Sequence, residues 1–290
     1  MTPSEVVQER ATASMTFDFA GRVALVTGAG RGIGRATALT LAACGCDVAV
    51  NDRDEMSCTA VAEEVMAAGR RSVALVGDIS SPATVSEIVD AASSALGSID
   101  FLVNNAGISR YRPILECDER DWDEHLDVMA KGTFLMIRAV APQMLARGFG
   151  RIVNLGSYVA QLNCTTKYFG PYCAAKFAVI GLTQVAAQEL APQVTVNAVG
   201  PGDVATEMME LEWRQEGQRR SMHPNAVKDE YRRRLLLGEF EAPGDIAGAI
   251  AFLCSPLAAQ ITGTHLIVSG GLPYTANRVE REFRSPAAEA

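Results

Sequence analysis

With 290 residues, a hydrophobic fraction of 48% and a formal net charge of −8 at pH 7, the chain has the composition of a folded, acidic protein. The negative charge argues against nucleic acid as a main partner, because phosphate groups require a basic surface. No uninterrupted run of about 18 apolar residues occurs, and the first residues lack an apolar segment, so neither a membrane span nor a signal peptide is predicted. We therefore expect a soluble, cytoplasmic protein with no membrane or nucleic-acid partner.

The seven cysteines are scattered without paired spacing, and only three histidines are present. This pattern fits reduced thiols in a cytoplasmic protein better than a disulfide framework or a zinc site. We predict no metal site.

Short β-branched runs alternate with Ala-rich helical segments along the chain. Such alternation implies parallel strands with helices on both faces. We predict an α/β fold in a single domain at 19–273, a doubly wound, Rossmann-like parallel sheet, with a flexible leader at 1–18 and a charged tail at 274–290. The predicted strands are 22–27, 47–51, 72–77, 101–104, 151–155, 194–197 and 265–268, and the first two predicted helices are 33–44 and 56–68.

A glycine-rich loop, Thr27-Gly-Ala-Gly-Arg-Gly-Ile-Gly34, joins the first predicted strand to the first helix. Glycines permit a tight turn and let the backbone approach a pyrophosphate closely, while the helix N-terminus favours negative charge. The spacing of Gly28, Gly32 and Gly34 differs from the commoner Gly-x-Gly-x-x-Gly. The loop predicts a dinucleotide site.

Two aspartates follow the next two strands. Asp52 can accept both ribose hydroxyls of adenosine and would repel a 2′-phosphate, which favours NAD over NADP. Arg31 and Arg53 are the counter-evidence, because guanidinium groups pair well with phosphate. Asp78 is placed either to reach the adenine or to cap the following helix.

Tyr172 and Lys176 are four residues apart and project from the same face of a predicted helix, 15 residues after Ser157. The ammonium can lower the pKa of the phenol, so that Tyr172 exchanges a proton with an alcohol or carbonyl oxygen. The pattern indicates an enzyme that oxidises alcohols or reduces ketones.

The segment 203–240 breaks the strand–helix rhythm and is rich in charge and in large residues, among them Trp213 and Met222. It follows the carboxyl end of a strand, where ligands bind in such folds. We interpret it as a helical substrate lid; a peripheral pair of charged helices is the alternative. Its large apolar residues suggest a substrate with some hydrophobic surface. Arg112, a candidate residue near the substrate, is also compatible with an acidic substrate.

Taken in order, these motifs resemble the short-chain dehydrogenase/reductase family over about residues 20 to 273. The resemblance implies that Tyr172 is the general acid/base, that Lys176 lowers its pKa and holds the nicotinamide ribose, and that Ser157 binds the reacting oxygen. It also implies the residues that hold the cofactor. The full predicted cofactor set is Gly28, Arg31, Gly32, Ile33, Gly34, Asp52, Asp78, Ile79, Asn105, Ala106, Gly107, Tyr172, Lys176, Pro201, Gly202, Val204 and Thr206.

One position departs from the family pattern. An asparagine, thought to kink its helix and help hold a proton-relaying water, is replaced here by Met129. A thioether cannot replace an amide, although the backbone carbonyl remains. His125, one turn earlier, is either a compensating group or a surface histidine.

The leading interpretation is an NAD-dependent alcohol dehydrogenase or ketone reductase that transfers a hydride to or from a small-molecule secondary alcohol or ketone. Loose similarity points to polyol and acetoin reductases, with hydroxysteroid and secondary-metabolite ketones as competitors. A catalytically impaired NAD-binding regulator, suggested by Met129, and a lyase or epimerase are the alternatives. The family further implies a homotetramer or homodimer formed through helices at about 118–147 and 172–190.

Overall fold

The computed structural model describes residues 17–161 and 164–272. These residues form a fold built around one seven-stranded parallel sheet. Its strand order is β3-β2-β1-β4-β5-β6-β7. The strands are β1 (Val23–Thr27), β2 (Asp47–Asp52), β3 (Ser72–Val76), β4 (Phe101–Asn104), β5 (Gly150–Leu155), β6 (Val194–Pro201) and β7 (His265–Val268). The predicted doubly wound α/β fold is confirmed. The leader and the tail fall almost wholly outside the described ranges.

Nine α-helices occur within these ranges. They are α1 (Gly32–Ala43), α2 (Glu55–Ala67), α3 (Pro82–Leu96), α4 (Glu119–His125), α5 (Gly132–Arg147), α6 (Gly170–Leu190), α7 (Glu207–Arg220), α8 (Pro224–Arg234) and α9 (Pro243–Cys254). Helices α3 and α9 were not predicted from the sequence. Both begin at proline, which suits the first helical turn because its missing N–H has no partner there.

Two apolar layers cover the sheet, one on each face. Helices α1, α2 and α9 form one layer, in which Leu41 and Ile250 pack with Val26 of the sheet. Helices α3, α5 and α6 form the other, where Met136 packs with Leu25. Neighbouring strand residues face opposite layers, so the strands must be apolar on both sides, and β1 is buried along its full length.

The chain reverses its direction of winding between β1 and β4. From β1 it proceeds outward to β2 and β3, then returns to pair β4 against the other side of β1 and proceeds to β7. The loops after β1 and β4 therefore diverge and leave a crevice at the carboxyl edge of the sheet, where ligands bind in open α/β folds.

A single helix was expected at about 118–147, but the structure has three consecutive segments there. A π-helical segment, Leu126–Lys131, separates α4 from α5. A π-helical turn accommodates one extra residue and alters the direction in which the following residues project. The segment contains Met129, so the irregularity expected of an asparagine exists here with methionine in its place.

The segment predicted as a lid forms two helices, α7 and α8, after β6. The rings of Trp213 and Phe240 lie 5.0 Å apart, and Trp213 is buried. This aromatic pair packs α7, which carries Trp213, against the segment that follows α8. None of the described helices is long and apolar enough to cross a membrane.

Candidate active site

A cavity of about 470 Å³ opens at the carboxyl edge of the sheet, between the loops that follow β1 and β4. Parallel strands bring the motifs that follow them to one edge, so residues far apart in sequence meet there. Every residue predicted for catalysis or cofactor binding lines this cavity. They are Gly28, Arg31, Gly32, Ile33, Gly34, Asp52, Asp78, Ile79, Asn105, Ala106, Gly107, Ser157, Tyr172, Lys176, Pro201, Gly202, Val204 and Thr206.

The glycine-rich loop is tightly packed at two positions. Gly28 has φ +60°, and a Cβ atom there would lie 2.7 Å from the Cα atom of Ala106. A Cβ atom on Gly34 would lie 2.2 Å from the carbonyl oxygen of Gly28. Side chains are excluded at both positions, so bare backbone lines the wall next to the N-terminus of α1, as a phosphate-binding loop requires.

Asp52, at the end of β2, is held by backbone donors. One carboxylate oxygen accepts the N–H of Gly30 at 2.9 Å, and the other accepts the N–H of Asp54 at 3.1 Å. No salt bridge to Asp52 occurs within the described ranges, so its negative charge is not neutralised by a cation of the protein. Gly30 is absent from the predicted cofactor set. Its N–H nevertheless links the glycine-rich loop to the Asp52 carboxylate, which faces the cavity.

Asp78 does not cap the following helix. Ser81 is the N-cap of α3, whereas Asp78 accepts the N–H of Ser80 at 2.8 Å. The capping alternative for Asp78 is wrong. Its side chain lies instead in a turn at the rim of the cavity.

Hydrogen bonds fix the two loops on either side of the crevice. The Asn105 amide donates to the carbonyl oxygens of Thr27 and Gly28 at 2.9 and 2.8 Å. The Thr27 hydroxyl accepts the N–H groups of Asn105 and Ala106, each at 3.1 Å. The polar groups that the diverging strands leave unpaired are thus satisfied across the crevice.

Ser157, Tyr172 and Lys176 come together at the inner end of the cavity. Ser157 follows β5 and is buried, and its hydroxyl makes a hydrogen bond with that of Tyr172. The ammonium of Lys176 lies 5.6 Å from the centre of the Tyr172 ring and donates to the Leu155 carbonyl oxygen at 2.7 Å. The structure thus brings together the three predicted catalytic residues.

A buried chain of side-chain hydrogen bonds positions α6, which carries Tyr172 and Lys176. The Asn104 amide donates to the Asn154 carbonyl group at 2.8 Å, and the Asn154 amide donates to the Thr183 hydroxyl at 2.9 Å. The chain links β4, β5 and α6. It fixes the helix against the sheet two turns after Lys176.

The pKa of Tyr172 does not follow the simple expectation that Lys176 lowers it. Burial raises the pKa of Tyr172 well above its usual range; the hydrogen bond with Ser157 opposes this, and the nearby Glu212 carboxylate adds to it. Burial also lowers the pKa of Lys176 to about 8. Desolvation opposes both charged forms, so in this state Tyr172 holds its proton at neutral pH.

Met129 is buried, and its sulfur would lie 3.4 Å from a Cβ atom on Gly107. It therefore packs under the loop that follows β4. His125 is also buried, which corrects the expectation of a surface histidine: its Nδ1 lies 2.6 Å from the Asp121 carbonyl oxygen, and burial lowers its pKa. The imidazole does not line the cavity.

Several polar residues of the cavity were missed by sequence analysis, because nothing in their local pattern marks them. They are Ser109, Thr166, Asp203, Glu212 and Arg234, of which the last three lie within the segment predicted as a lid. Conversely, Arg112, Trp213 and Met222 do not line it. Arg112 instead pairs with Asp121, so it gives no ground for an acidic substrate, whereas Met208, Met209 and Tyr231 of the predicted lid do line the cavity.

Behind the cavity wall, Glu241 is buried and neither carboxylate oxygen has a hydrogen-bond partner. Burial raises its pKa to about 8, and the neighbouring Asp203 adds to the shift. Backbone contacts between Val204 and Glu241 hold the residue beside the loop after β6.

Comparison with known proteins gives one family and several relatives. A family model described as enoyl-(acyl carrier protein) reductase matches residues 28–273. The 3-oxoacyl-(acyl-carrier-protein) reductase FabG of Staphylococcus epidermidis is 40% identical over 257 residues, which cover 86% of this chain and 98% of that protein.

Two solved structures share the fold over nearly their whole length. An NAD⁺-bound xylitol dehydrogenase superposes with a TM-score of 0.83 at 32% identity, covering 87% of this chain and 99% of the other. A gluconate 5-dehydrogenase from Burkholderia cenocepacia, in complex with NADP and tartrate, superposes with a TM-score of 0.79 at 33% identity, covering 89% of this chain and 97% of the other. Together these matches support use of a nicotinamide cofactor.

Gly28→Ala should weaken NADH binding at least about tenfold, whereas Gly69→Ala should leave it unchanged. Both glycines have positive φ, so alanine costs about 1–2 kcal/mol of backbone strain at either position. Only at Gly28 does the added methyl group meet neighbouring backbone; at Gly69 no atom lies within 4 Å. Fluorescence titration with NADH measures the affinities, and equal affinity in the two variants would contradict the assigned role of the loop.

Glu241→Gln should remove a pH-dependent loss of stability. Because the folded-state pKa of about 8 lies above the ordinary glutamate value of 4.5, the folded state retains a proton that the unfolded state has lost, and stability falls as pH rises between these values. Relative to wild type, the variant should gain about 1–3 kcal/mol in unfolding free energy between pH 5 and pH 9. Urea unfolding measures this. The exposed Glu239→Gln should track wild type, and a Glu241→Gln curve parallel to wild type would refute the prediction.

Proposed function

The chain belongs to the short-chain dehydrogenase/reductase family, and from that premise we propose that it transfers a hydride between a nicotinamide cofactor and a secondary alcohol or ketone. The observation that carries the proposal is the meeting of Ser157, Tyr172 and Lys176 in the cavity that the glycine-rich loop also lines. A proton donor, a hydroxyl group beside it and a cradle for phosphates are the parts that such a reaction requires.

The nicotinamide ring supplies or accepts the hydride when the cofactor is bound. Tyr172 donates the proton to the carbonyl oxygen in reduction and takes it back in oxidation. The Ser157 hydroxyl, bonded to that of Tyr172, orients the reacting oxygen toward the phenol. Because burial keeps Tyr172 protonated at neutral pH, Tyr172 already carries the proton that reduction of a ketone requires.

Lys176 has two roles in this proposal. Its Nζ is fixed by the Leu155 carbonyl oxygen, which leaves two further N–H donors for the nicotinamide ribose and for the Tyr172 side. Its positive charge also stabilises a phenolate when Tyr172 gives up its proton. The pKa of about 8 keeps the ammonium mostly charged at neutral pH.

We propose NAD rather than NADP as the cofactor. Asp52 presents a carboxylate to the cavity without a cationic partner, so it would accept ribose hydroxyls and repel a 2′-phosphate. Arg31 and Arg53 also line the cavity. The Arg31 guanidinium forms a salt bridge with the Glu207 carboxylate at 3.5 Å, which offsets part of its positive charge. One structural relative is named with NAD⁺ and another with NADP, so these two relatives do not decide between the cofactors. The proposal therefore depends on the residues of this chain.

The relatives' names do not agree on a substrate. One acts on a 3-oxoacyl group held by a carrier protein, and the two solved structures are named for xylitol and gluconate. All fit an alcohol or a ketone as the reacting group. For this chain, the finer substrate class must come from its own cavity.

The alternative of an impaired regulator depends on Met129 alone. That residue packs under Gly107, and the three proposed catalytic residues are in place. We therefore favour the enzyme. A homodimer or homotetramer stays a prediction; it is consistent with the exposed Phe134 and Val185 on α5 and α6, and sedimentation velocity would test it.

Tyr172→Phe should lower kcat about 10²–10⁴-fold, the usual contribution of general acid/base catalysis, and leave the dissociation constant for NADH within about twofold. Absorbance at 340 nm follows turnover, and fluorescence titration follows binding. Tyr111→Phe is the matched control, because Tyr111 itself does not line the cavity, and its ring packs on Phe169, which does. Turnover that survives the loss of the Tyr172 hydroxyl would remove it from the proposed role.

Wild type should bind NADH more tightly than NADPH, and Asp52→Asn should narrow the difference at least about tenfold. Asparagine retains an oxygen that can accept the Gly30 N–H, so the loop keeps its support while the negative charge is removed. Titration of both proteins with both nucleotides measures the ratio. A wild type that prefers NADPH would show that Arg31 and Arg53 outweigh Asp52.

A further inference from the structure

Several polar residues outside the predicted cofactor set line the cavity, together with apolar residues such as Val159 and Met209. We call six of the polar residues the substrate wall: Ser109, Tyr158, Thr166, Asp203, Glu212 and Arg234. Their hydroxyl and guanidinium groups donate hydrogen bonds, and their carboxylates accept them. A wall of this kind suits a ligand that carries polar groups on the side that faces it.

Asp203 is only 4% exposed, and no hydrogen bond or salt bridge from a described residue reaches its carboxylate. Burial raises its pKa to about 7, and the charge of Arg234 partly opposes the shift. A buried carboxylate without a partner is costly, and buried polar groups are normally satisfied. Since Asp203 faces the cavity between Gly202 and Val204 of the predicted cofactor set, its missing partner can come from a bound substrate or from the cofactor.

Glu212 lies on α7 and reaches the same cavity. Its Oε1 accepts the Ser109 hydroxyl at 2.6 Å, which orients the carboxyl group across the crevice from the loop after β4. Burial raises its pKa to about 7, with Asp203 and Glu216 adding to the shift. Its charge in turn raises the pKa of Tyr172, so the carboxyl group lies close to the proposed acid/base.

We propose that Asp203 and Glu212 determine specificity by selecting a neutral, polyhydroxylated ketone or alcohol, an inference that rests on the proposed function. Hydroxyl groups next to the reacting carbon would donate to the two carboxylates and accept from Arg234 and the wall hydroxyls. A hydroxyl is both donor and acceptor, so it can satisfy both kinds of group at once.

Three other substrate classes fit this wall less well. An apolar acyl chain would bury both carboxyl groups without partners, which is unfavourable. A carboxylate would be repelled by the ionised fraction of Asp203 and Glu212, whose pKa values of about 7 leave each partly charged at neutral pH. An ammonium group only donates, and the cavity already holds Arg234 and Lys176. Among the described residues, no group of acidic side chains is arranged to hold a metal ion.

The test uses four ketones that share a four-carbon chain with the ketone at the second carbon: erythrulose, butan-2-one, acetoacetate and 4-aminobutan-2-one. Reduction is followed at 340 nm with saturating NADH or NADPH, whichever wild type prefers. We expect kcat/KM for erythrulose to exceed that for butan-2-one by about 10²-fold, because a site built to bind hydroxyls strongly rejects analogues that lack them. Acetoacetate should be the poorest substrate.

Variants that each remove one carboxylate charge test whether Asp203 and Glu212 determine substrate specificity. Glu212→Gln and Asp203→Asn should each lower the erythrulose to butan-2-one ratio about tenfold and improve acetoacetate relative to wild type. Glu210→Gln, on the same helix but outside the cavity, should leave all ratios unchanged. Melting curves establish that the variants are folded. Calorimetric titration of erythritol into NADH-saturated protein gives a second readout without turnover, and Glu212→Gln should weaken this binding.

The outcomes separate this inference from the proposed function. If no ketone is reduced and no alcohol is oxidised with either nucleotide, the proposed function itself fails. If ketones are reduced but butan-2-one matches erythrulose, the enzyme stands and the polyhydroxyl selection is wrong. A clear preference for 4-aminobutan-2-one would mean that the carboxylates select a cation, and it would overturn the inference in the same way.

Discussion

The crevice between β1 and β4 depends on hydrogen bonds that replace those the sheet cannot make. Where two parallel strands diverge, their last backbone groups lose their partners, and unpaired buried groups are costly. The Asn105 amide satisfies the carbonyl oxygens of Thr27 and Gly28, while the Thr27 hydroxyl satisfies two N–H groups on the other side. The opening is therefore fixed in width before any ligand enters, and the glycine-rich loop is fixed with it.

Burial, rather than proximity of charge, governs the ionisable groups around this crevice. It raises the pKa values of Asp203 and Glu212 to about 7 and lowers that of Lys176 to about 8. All three groups therefore titrate near neutral pH, although their usual pKa values lie far apart. A bound ligand that replaces water changes these balances directly, so binding and proton transfer are coupled in this site.

Sequence reasoning predicted the parts of the molecule that local pattern determines. Strand periodicity predicted the parallel sheet, and the glycines, Ser157, Tyr172 and Lys176 could be placed because their spacing carries the chemistry. What failed was set by tertiary packing. His125 looked like a surface residue on a charged helix, but a π-helical turn and neighbouring elements bury it. Trp213 looked like a substrate contact, but it packs against Phe240 inside the lid. The role of Gly30 depends on a carboxylate 22 residues away.

The two halves of the cavity are held in place by different physical means. The cofactor half lies on strand ends, where the register of the sheet fixes each residue against its neighbours, so a changed residue there disturbs the crevice itself. The proposed substrate half depends in part on α7 and α8, which carry Glu212 and Arg234, and Trp213 of α7 packs against Phe240. Residues such as Glu212 can change without cost to the sheet. Specificity can therefore vary among relatives at about one third identity while the fold stays the same, and the substrate wall must be interpreted from this chain alone.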